Sequence, residues 1–325
     1  NSRAPKVALR SDIDALPIQE ATGLEFASVN PGVMHACGHD VHAAWAVGAA
    51  HLLTEKPAEG DVLIVLQPAE EIGKGALAVL ETGILDDVSA IFAAHVDHRF
   101  VVGQVVAEAG PLAASSDTFE IELIGRGAHG ARPHESADPI VGAGAVIMAL
   151  QTIVSRRLNP ARSGVVTIGT VNAGSAPNII PERVKLTGTL RAVDSETRRL
   201  LINEVRNIAE SAAKVYRIQA RVKVETGTPP LVNLPEPVNW ARQAVRSVSS
   251  EEALVPLDFL NMAGEDFACY LEKMRGCFLR IGACEPGAEP IAAHSPYFYA
   301  ADESIFVGAA VLAETVRIAS AELCI

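Results

Sequence analysis

Cysteine is scarce. Five residues in 325, at Cys37, Cys269, Cys277, Cys284 and Cys324, show no paired spacing, which excludes a disulfide scaffold. They read as the reduced thiols of a cytoplasmic protein. Positive charge is also short: 27 Lys and Arg stand against 39 Asp and Glu, a formal net charge of -12. Nucleic acid and anionic membranes both require a basic face, so neither is expected as a partner. No apolar run reaches about 18 uninterrupted residues, so no membrane-crossing helix is expected, and no charged-then-apolar leader opens the chain. Internal repeats and low-complexity tracts are missing as well. The first five residues lead straight into an apolar strand at Val7, as if a preceding segment were absent.

What is present suits packed domains. Nearly half of the residues are apolar, and the length allows one large domain or two ordinary ones. The chemistry gathers first at Met34-His35-Ala36-Cys37-Gly38-His39-Asp40-Val41-His42. Cys37 and His39 are sulfur and nitrogen donors of the kind transition-type metals take, and the glycine between them lets the two converge at a turn. A buried cysteine beside helix N-terminal histidines is the competing account of this stretch alone. The Ala-rich run after it, to Leu53, predicts a helix, on which His51 has no chemical role.

Other groups fall at strand ends. Val7 to Leu9 is an apolar strand that runs out into Asp12-Ile13-Asp14, two acids of alternate spacing pointing one way; a surface turn fits a lone pair equally. Asp61 to Leu66 is a continuous apolar strand ending in Gln67-Pro68-Ala69-Glu70-Glu71. Adjacent carboxylates resist joint ionisation unless a cation lies between them, which makes Glu71 a candidate ligand and Glu70 a candidate general base. Ala90 to Ala94 is a third such strand, ending in His95; His98 is placed in a polar loop beyond it. With His294 as a fifth candidate, the set Cys37, His39, Glu71, His95 and His294 exceeds the three or four ligands of one zinc site and suggests two metal ions. Two such ions would activate water and polarise a carbonyl.

The texture changes near Gly110-Pro111. Residues 112–225 alternate strand, helix, strand, strand, helix, strand, which is the ferredoxin-like pattern. Residues 1–111 and 226–325 then form one discontinuous α/β domain around an inserted α+β domain. A strand at Val255–Leu257 and helices at 138–155, 264–273 and 302–321 are also predicted.

Taken together, these residues resemble the M20 metallopeptidase family, in its aminoacylase/amidohydrolase branch of hippurate hydrolases, N-acyl-amino-acid amidohydrolases and plant auxin-conjugate hydrolases. The matching motifs are LRSDIDALP (9–17), MHACGHD (34–40), QPAEE (67–71), His95-Val96, GRGAHGARPH (125–134), Asn178-Ile179-Ile180-Pro181, GTLR (188–191), GEDF (264–267) and His294-Ser295-Pro296, in the family's order along almost the whole chain. The resemblance implies a mixed-sheet, zinc-peptidase-like catalytic domain with an inserted ferredoxin-like dimerisation or lid domain, and a homodimer. It implies two divalent ions per subunit, Zn or Mn, with Co and Ni open. Their ligands would be Cys37, His39, Glu71, His95 and His294, with Cys37 bridging. Glu70 would be the general base and acid, and His129 an oxyanion donor reaching a partner subunit's site. Asn178 and Arg191 would hold the substrate, while Asp12, Asp14, Asp40 and His42 would orient the ligands. The implied reaction is hydrolysis of the amide of an N-acyl amino acid or a related small conjugate. A dipeptidase, or a non-catalytic binding protein on this fold, is the alternative. The chain departs from the family in lacking some seventy residues before the first strand, in Val96-Asp97-His98 where Val-Trp-Pro is usual, and in Val41 where glycine is common.

Overall fold

The computed structural model describes residues 4–324; residues 1–3, at the abrupt start noted above, and residue 325 lie outside the described residues. The chain divides into two compact units. One comprises Asn1–Leu112, Val232–Leu260 and Glu265–Ile325, and the other Ala113–Leu231 with Asn261–Gly264.

The first unit is built on a mixed sheet. Strands β1 (Lys6–Asp12), β2 (Asp61–Gln67), β3 (Val88–Val101), β4 (Val105–Val106) and β9 (Arg275–Cys284) lie in the order β2-β1-β3-β9-β4. All neighbours are parallel except β4, which runs against β9. The central strands are buried, hence the unbroken apolar runs at Val7–Leu9 and Ala90–Ala94. In the register of β1 with β2, Asp12 lies beside Gln67, so the acids of both strand ends emerge at one edge. Helices α1 (His39–Glu55), α5 (Pro235–Val248) and α6 (Glu303–Leu323) bury Trp45, Trp240, Val311 and Val316 in one core with Leu9, Phe92 and Leu279. The Trp45 indole donates to the Ser304 carbonyl at 2.9 Å, which satisfies its one polar atom inside that core.

Three expectations change. Strand β3 continues through His95 to Val101, so His98 lies on a strand and not in a loop; its pairing with β9 reaches Val101 opposite Cys284, and ladder hydrogen bonds outweigh the polar sequence. At residues 255–257 no strand forms, only an isolated bridge from Val105 to Leu254. The helix expected over 264–273 contracts to Ala268–Leu271, because Glu265 turns back to accept the Phe267 N–H at 3.0 Å. Helix α2 (Gly75–Glu81) follows the acidic loop.

The second unit has strands β5 (Asp117–Ile124), β6 (Gly164–Ala173), β7 (Arg183–Ala192) and β8 (Gln219–Glu225) in the antiparallel order β8-β5-β7-β6, with helices α3 (Pro139–Leu150) and α4 (Ser195–Val215). The fourth-first-third-second order is that of a ferredoxin-like sheet. Asp138 caps α3 by accepting the Ile140 N–H at 2.8 Å, with Pro139 at the first position. The helix ends earlier than expected, at Leu150, before a π-helical turn at Ile153–Arg157. Helix α4 buries Leu201, Val205, Ala209 and Ala213 at helical spacing against Ile121 and Leu186.

Two segments, Pro139–Arg157 and Glu303–Leu323, are long and apolar enough to cross a membrane by length and composition alone, a test that the core helix of a packed domain also passes. Isolated polar residues punctuate both, which is why a search for unbroken runs passes over them. More than half of the second is spent in the core of its unit, as is about a third of the first.

Candidate metal centre

The cluster forms where two strand ends and the middle of β3 meet the start of α1. Gly38 adopts φ 84°, ψ 19°, a left-handed turn that places Cys37 and His39 on one side of the helix N-terminus. The Cys37 thiol lies 3.4 Å from Nε2 of His95, midway along β3. Ligand atoms of Cys37, His39 and His95 all lie within 4.8 Å of one another, and so do those of Cys37, Glu71 and His294. Cys37 is common to both triads. A third grouping of the same tightness joins His39 to Glu70 and Glu71. The backbone is strained at two of the approaches: Ala69, just before the paired glutamates, has φ 62°, and His294 has φ 67°. His294 is held by its N–H to the Ala36 carbonyl at 2.7 Å, and its Nε2 comes within 3.3 Å of a Glu71 oxygen.

The donor set fits a cation. Nε2 of His39 and Oε1 of Glu71 are buried without a hydrogen-bond partner among the described residues, 4.0 Å apart. Orphaned donors of this kind are rare unless something binds them. The electrostatics agree. Burial, with Glu71 and Glu70 nearby, pushes the Cys37 thiol up. Burial and the neighbouring Glu265 push Glu70 up to about 10. Acids that resist ionisation this strongly lack positive charge among themselves, which is what divalent ions supply. Burial opposes charge on His39, but a hydrogen bond to Asp14 and the fields of Asp12, Asp14 and Glu71 raise it to about 9.

The groups around the donors hold them in place. Nδ1 of His39 meets the Asp14 carbonyl at 3.0 Å, leaving Nε2 to face the cluster. The carboxylate of Asp14 accepts the Glu71 N–H at 3.0 Å. His42 accepts the Val96 N–H at Nε2, 3.0 Å, and so donates from Nδ1 to Asp12 at 2.5 Å. Both of its nitrogens are committed to hydrogen bonds within the protein. Asp40 departs from expectation. One residue beyond His39 on a helix, it turns outward, is exposed, and lines a cavity of about 920 Å³ with His35, Phe26, Tyr299 and Phe306. None of the five candidate ligands lines that cavity. His98 is buried with both nitrogens engaged, by the Tyr299 carbonyl and the Ile291 N–H.

One buried network has no counterpart in the sequence reading. Arg10, 2% exposed, bonds Asp12 and Asp266 at 2.8 Å each, Gln67 at 2.9 Å, and Glu265 at 3.2 Å. Gln67 also donates to Asp266, and accepts from the Tyr270 hydroxyl at 2.9 Å. Burial opposes the Arg10 charge, and the three carboxylates raise its pKa regardless. The network ties the Asp12 strand end to the loop carrying Glu70. The available signal was an arginine directly after a buried apolar run, which demands acids from elsewhere in the chain.

The remaining site residues belong to the second unit. His129 pairs with Ile179 in a short bridge, and the Gly130 N–H reaches the Asn178 carbonyl at 2.8 Å, so His129 and Asn178 are neighbours. Nδ1 of His129 accepts the Ala131 N–H at 3.1 Å, which leaves Nε2–H as an exposed donor. Arg191 lies half-buried on β7, near Gly264.

Comparison with known proteins gives this arrangement its context. The chain is 44% identical over 283 residues to an N-acetyl-L-cysteine deacetylase of Bacillus subtilis, covering 86% of this chain and 67% of that protein. It is 38% identical over 315 residues to an IAA-amino acid hydrolase of Arabidopsis thaliana, covering 95% and 71%. The solved structure of a dinuclear metal binding peptidase of the M20 family from Bacillus subtilis matches it with a TM-score of 0.86 at 38% identity, over 98% of this chain and 82% of that one. The profile of peptidase family M20/M25/M40 matches residues 8–318. With nearly the whole chain matched and a donor cluster at the start of α1, this hydrolase belongs to peptidase family M20/M25/M40.

Proposed function

We propose that the protein is a two-metal amidohydrolase that cleaves the amide of N-acyl amino acids or closely related small conjugates. The observation that carries this reading is the pair of donor triads sharing Cys37, with His39 Nε2 and Glu71 Oε1 buried and unpartnered. Cys37, His39, Glu71, His95 and His294 would hold two divalent ions, Zn or Mn by the mixture of thiolate, imidazole and carboxylate, with Co or Ni also compatible. Bound there, the ions would supply Lewis acidity and lower the pKa of water. Glu70, beside a ligand but bonded to none of them, would take the proton from the attacking water and return it to the leaving amine. The Nε2–H of His129 would donate to the developing oxyanion, and Asn178 with Arg191 would hold the substrate carboxylate. His129 would serve the site of a second copy. A homodimer is supported by the exposed apolar residues of α3, Ile140, Val141 and Met148, and by the exposed edge strand β6 with Val171.

The test uses metal-loaded protein and a panel of N-acetyl amino acids, N-benzoyl amino acids and dipeptides. Hydrolysis of the acyl amino acids with two metals per chain is expected. Glu70→Ala should keep the metal and lose turnover. Cleavage of dipeptides alone would make the protein an exopeptidase of the same chemistry, and wild-type activity in Glu70→Ala would refute the mechanism.

A further inference from the structure

Arg280 is a second buried arginine of the catalytic unit, and it differs from Arg10 in one respect. It lies on β9 with His95 beside it in parallel register, so the two side chains share a face of the sheet. It is 7% exposed. Among the described residues its side chain makes no hydrogen bond and no ion pair within 4.0 Å; the guanidinium lies over the Phe278 ring, 5.3 Å from guanidinium carbon to centroid. The acids nearby are already taken. Asp97 is held by Arg99 at 2.8 and 2.6 Å, and Arg99 is itself stacked on Phe259. Glu265 is held by Arg10 and the Phe267 N–H. The register places Arg280 beside the candidate ligand His95 on the same face of the sheet.

An arginine does not escape burial by losing its proton, and a buried cation without a partner is costly. The chain gives Arg10 three carboxylates and Gln67, and gives Arg280 none, beside the candidate ligand His95. Beside ions held by His95 and Cys37, the shortage of negative charge would grow. We propose that Arg280 is an anion anchor that binds a carboxylate of the substrate within the catalytic unit, distinct from Asn178 and Arg191. This rests on the hydrolase reading above and adds to it a carboxylate contact made inside the catalytic unit. The carboxylate belongs either to the acyl group, as in an N-succinyl amino acid, or to the amino acid released.

The experiment measures kcat/KM for the metal-loaded wild type, Arg280→Met and Arg280→Lys. The substrates are N-succinyl-alanine, its N-succinamyl counterpart, and the alaninamide form of each. Each ratio of carboxylate substrate to neutral counterpart is internal to one protein, so partial unfolding cancels. One ratio should fall by about tenfold or more in Arg280→Met and recover in part in Arg280→Lys, as loss of a charge-assisted pair demands. A fall confined to the succinyl against succinamyl ratio assigns the acyl side, and one confined to alanine against alaninamide assigns the amino-acid side. Ratios that stay at wild-type values in Arg280→Met overturn the proposal. If none of these four amides is cleaved, binding decides the anchor separately, and the hydrolase reading fails only when the N-acetyl and N-benzoyl amino acids also go uncleaved. Succinate must then bind at least about tenfold more tightly than succinamate to wild type and not to Arg280→Met; equal binding overturns it.

Discussion

A single methyl group at Gly38 should disable the centre. The residue sits at φ 84° between Cys37 and His39, and a Cβ built there lies 2.4 Å from a Val96 methyl and 3.3 Å from the Phe298 ring. A left-handed non-glycine residue costs roughly 1–2 kcal/mol, and overpacking a tight core about 1–3 kcal/mol more. Gly38→Ala should therefore destabilise the metal-free protein by about 2–5 kcal/mol in urea denaturation. The damage should also be specific. Val96 donates its N–H to His42 and its carbonyl meets His95 Nδ1 at 2.7 Å, so displacing Val96 moves one candidate ligand and the group that orients Asp12. Metal affinity, measured by competition with a chelator, should fall with stability. Gly287 is the control: its φ is 81° with nothing within 4 Å of a built Cβ. Gly287→Ala should show the conformational cost alone and leave metal affinity intact. Gly38→Ala within about 0.5 kcal/mol of wild type, with unchanged metal affinity, would refute the reasoning.

Other outcomes follow from the same geometry. The metal-free protein should lose stability as pH rises, since Glu70 and Glu265 are raised above ordinary glutamate, to about 10 and about 7, and His39 to about 9. Groups raised on folding stabilise fully below their unfolded values, and that stability is lost as pH passes the folded ones. Denaturation midpoints between about pH 7 and 9 check the sign, a window above the unfolded carboxylate and imidazole values and up to the folded values of His39 and Glu70. Metal must displace those protons, so affinity should rise with pH and calorimetry in buffers of different ionisation enthalpy should detect proton release; pH-independent affinity would count against the assigned ligands. Arg10→Met leaves Asp12, Glu265 and Asp266 buried without their cation and should cost about 3–5 kcal/mol, read by denaturation; a neutral effect would mean the network is dispensable. Met148→Glu on the exposed face of α3 should shift sedimentation toward monomer and, if His129 serves a second copy, reduce turnover with metal content unchanged.

The contrast between Arg10 and Arg280 shows where sequence reasoning stops. Local pattern revealed the strands, because a strand buried on both faces must be continuously apolar and reactive groups were written at their ends. It also revealed the ferredoxin-like alternation of residues 112–225, whose half-buried strands need period-two patterning. Gly38 between two metal-type donors was a local signal too. Long-range partners were not legible. That Arg10 draws Asp266 from the far end of the chain depends on β1 and the loop before β9 meeting in space. Asp40 was misjudged because adjacency in sequence becomes a turn of roughly a hundred degrees on a helix. By itself the sequence determined which donors exist and which strand or turn carries each, since both follow from local periodicity and residue chemistry. Only the tertiary structure decided which donors converge on Cys37, which histidines are already consumed by hydrogen bonds, and which buried arginine is left without a partner, since burial and pairing are set by segments hundreds of residues apart.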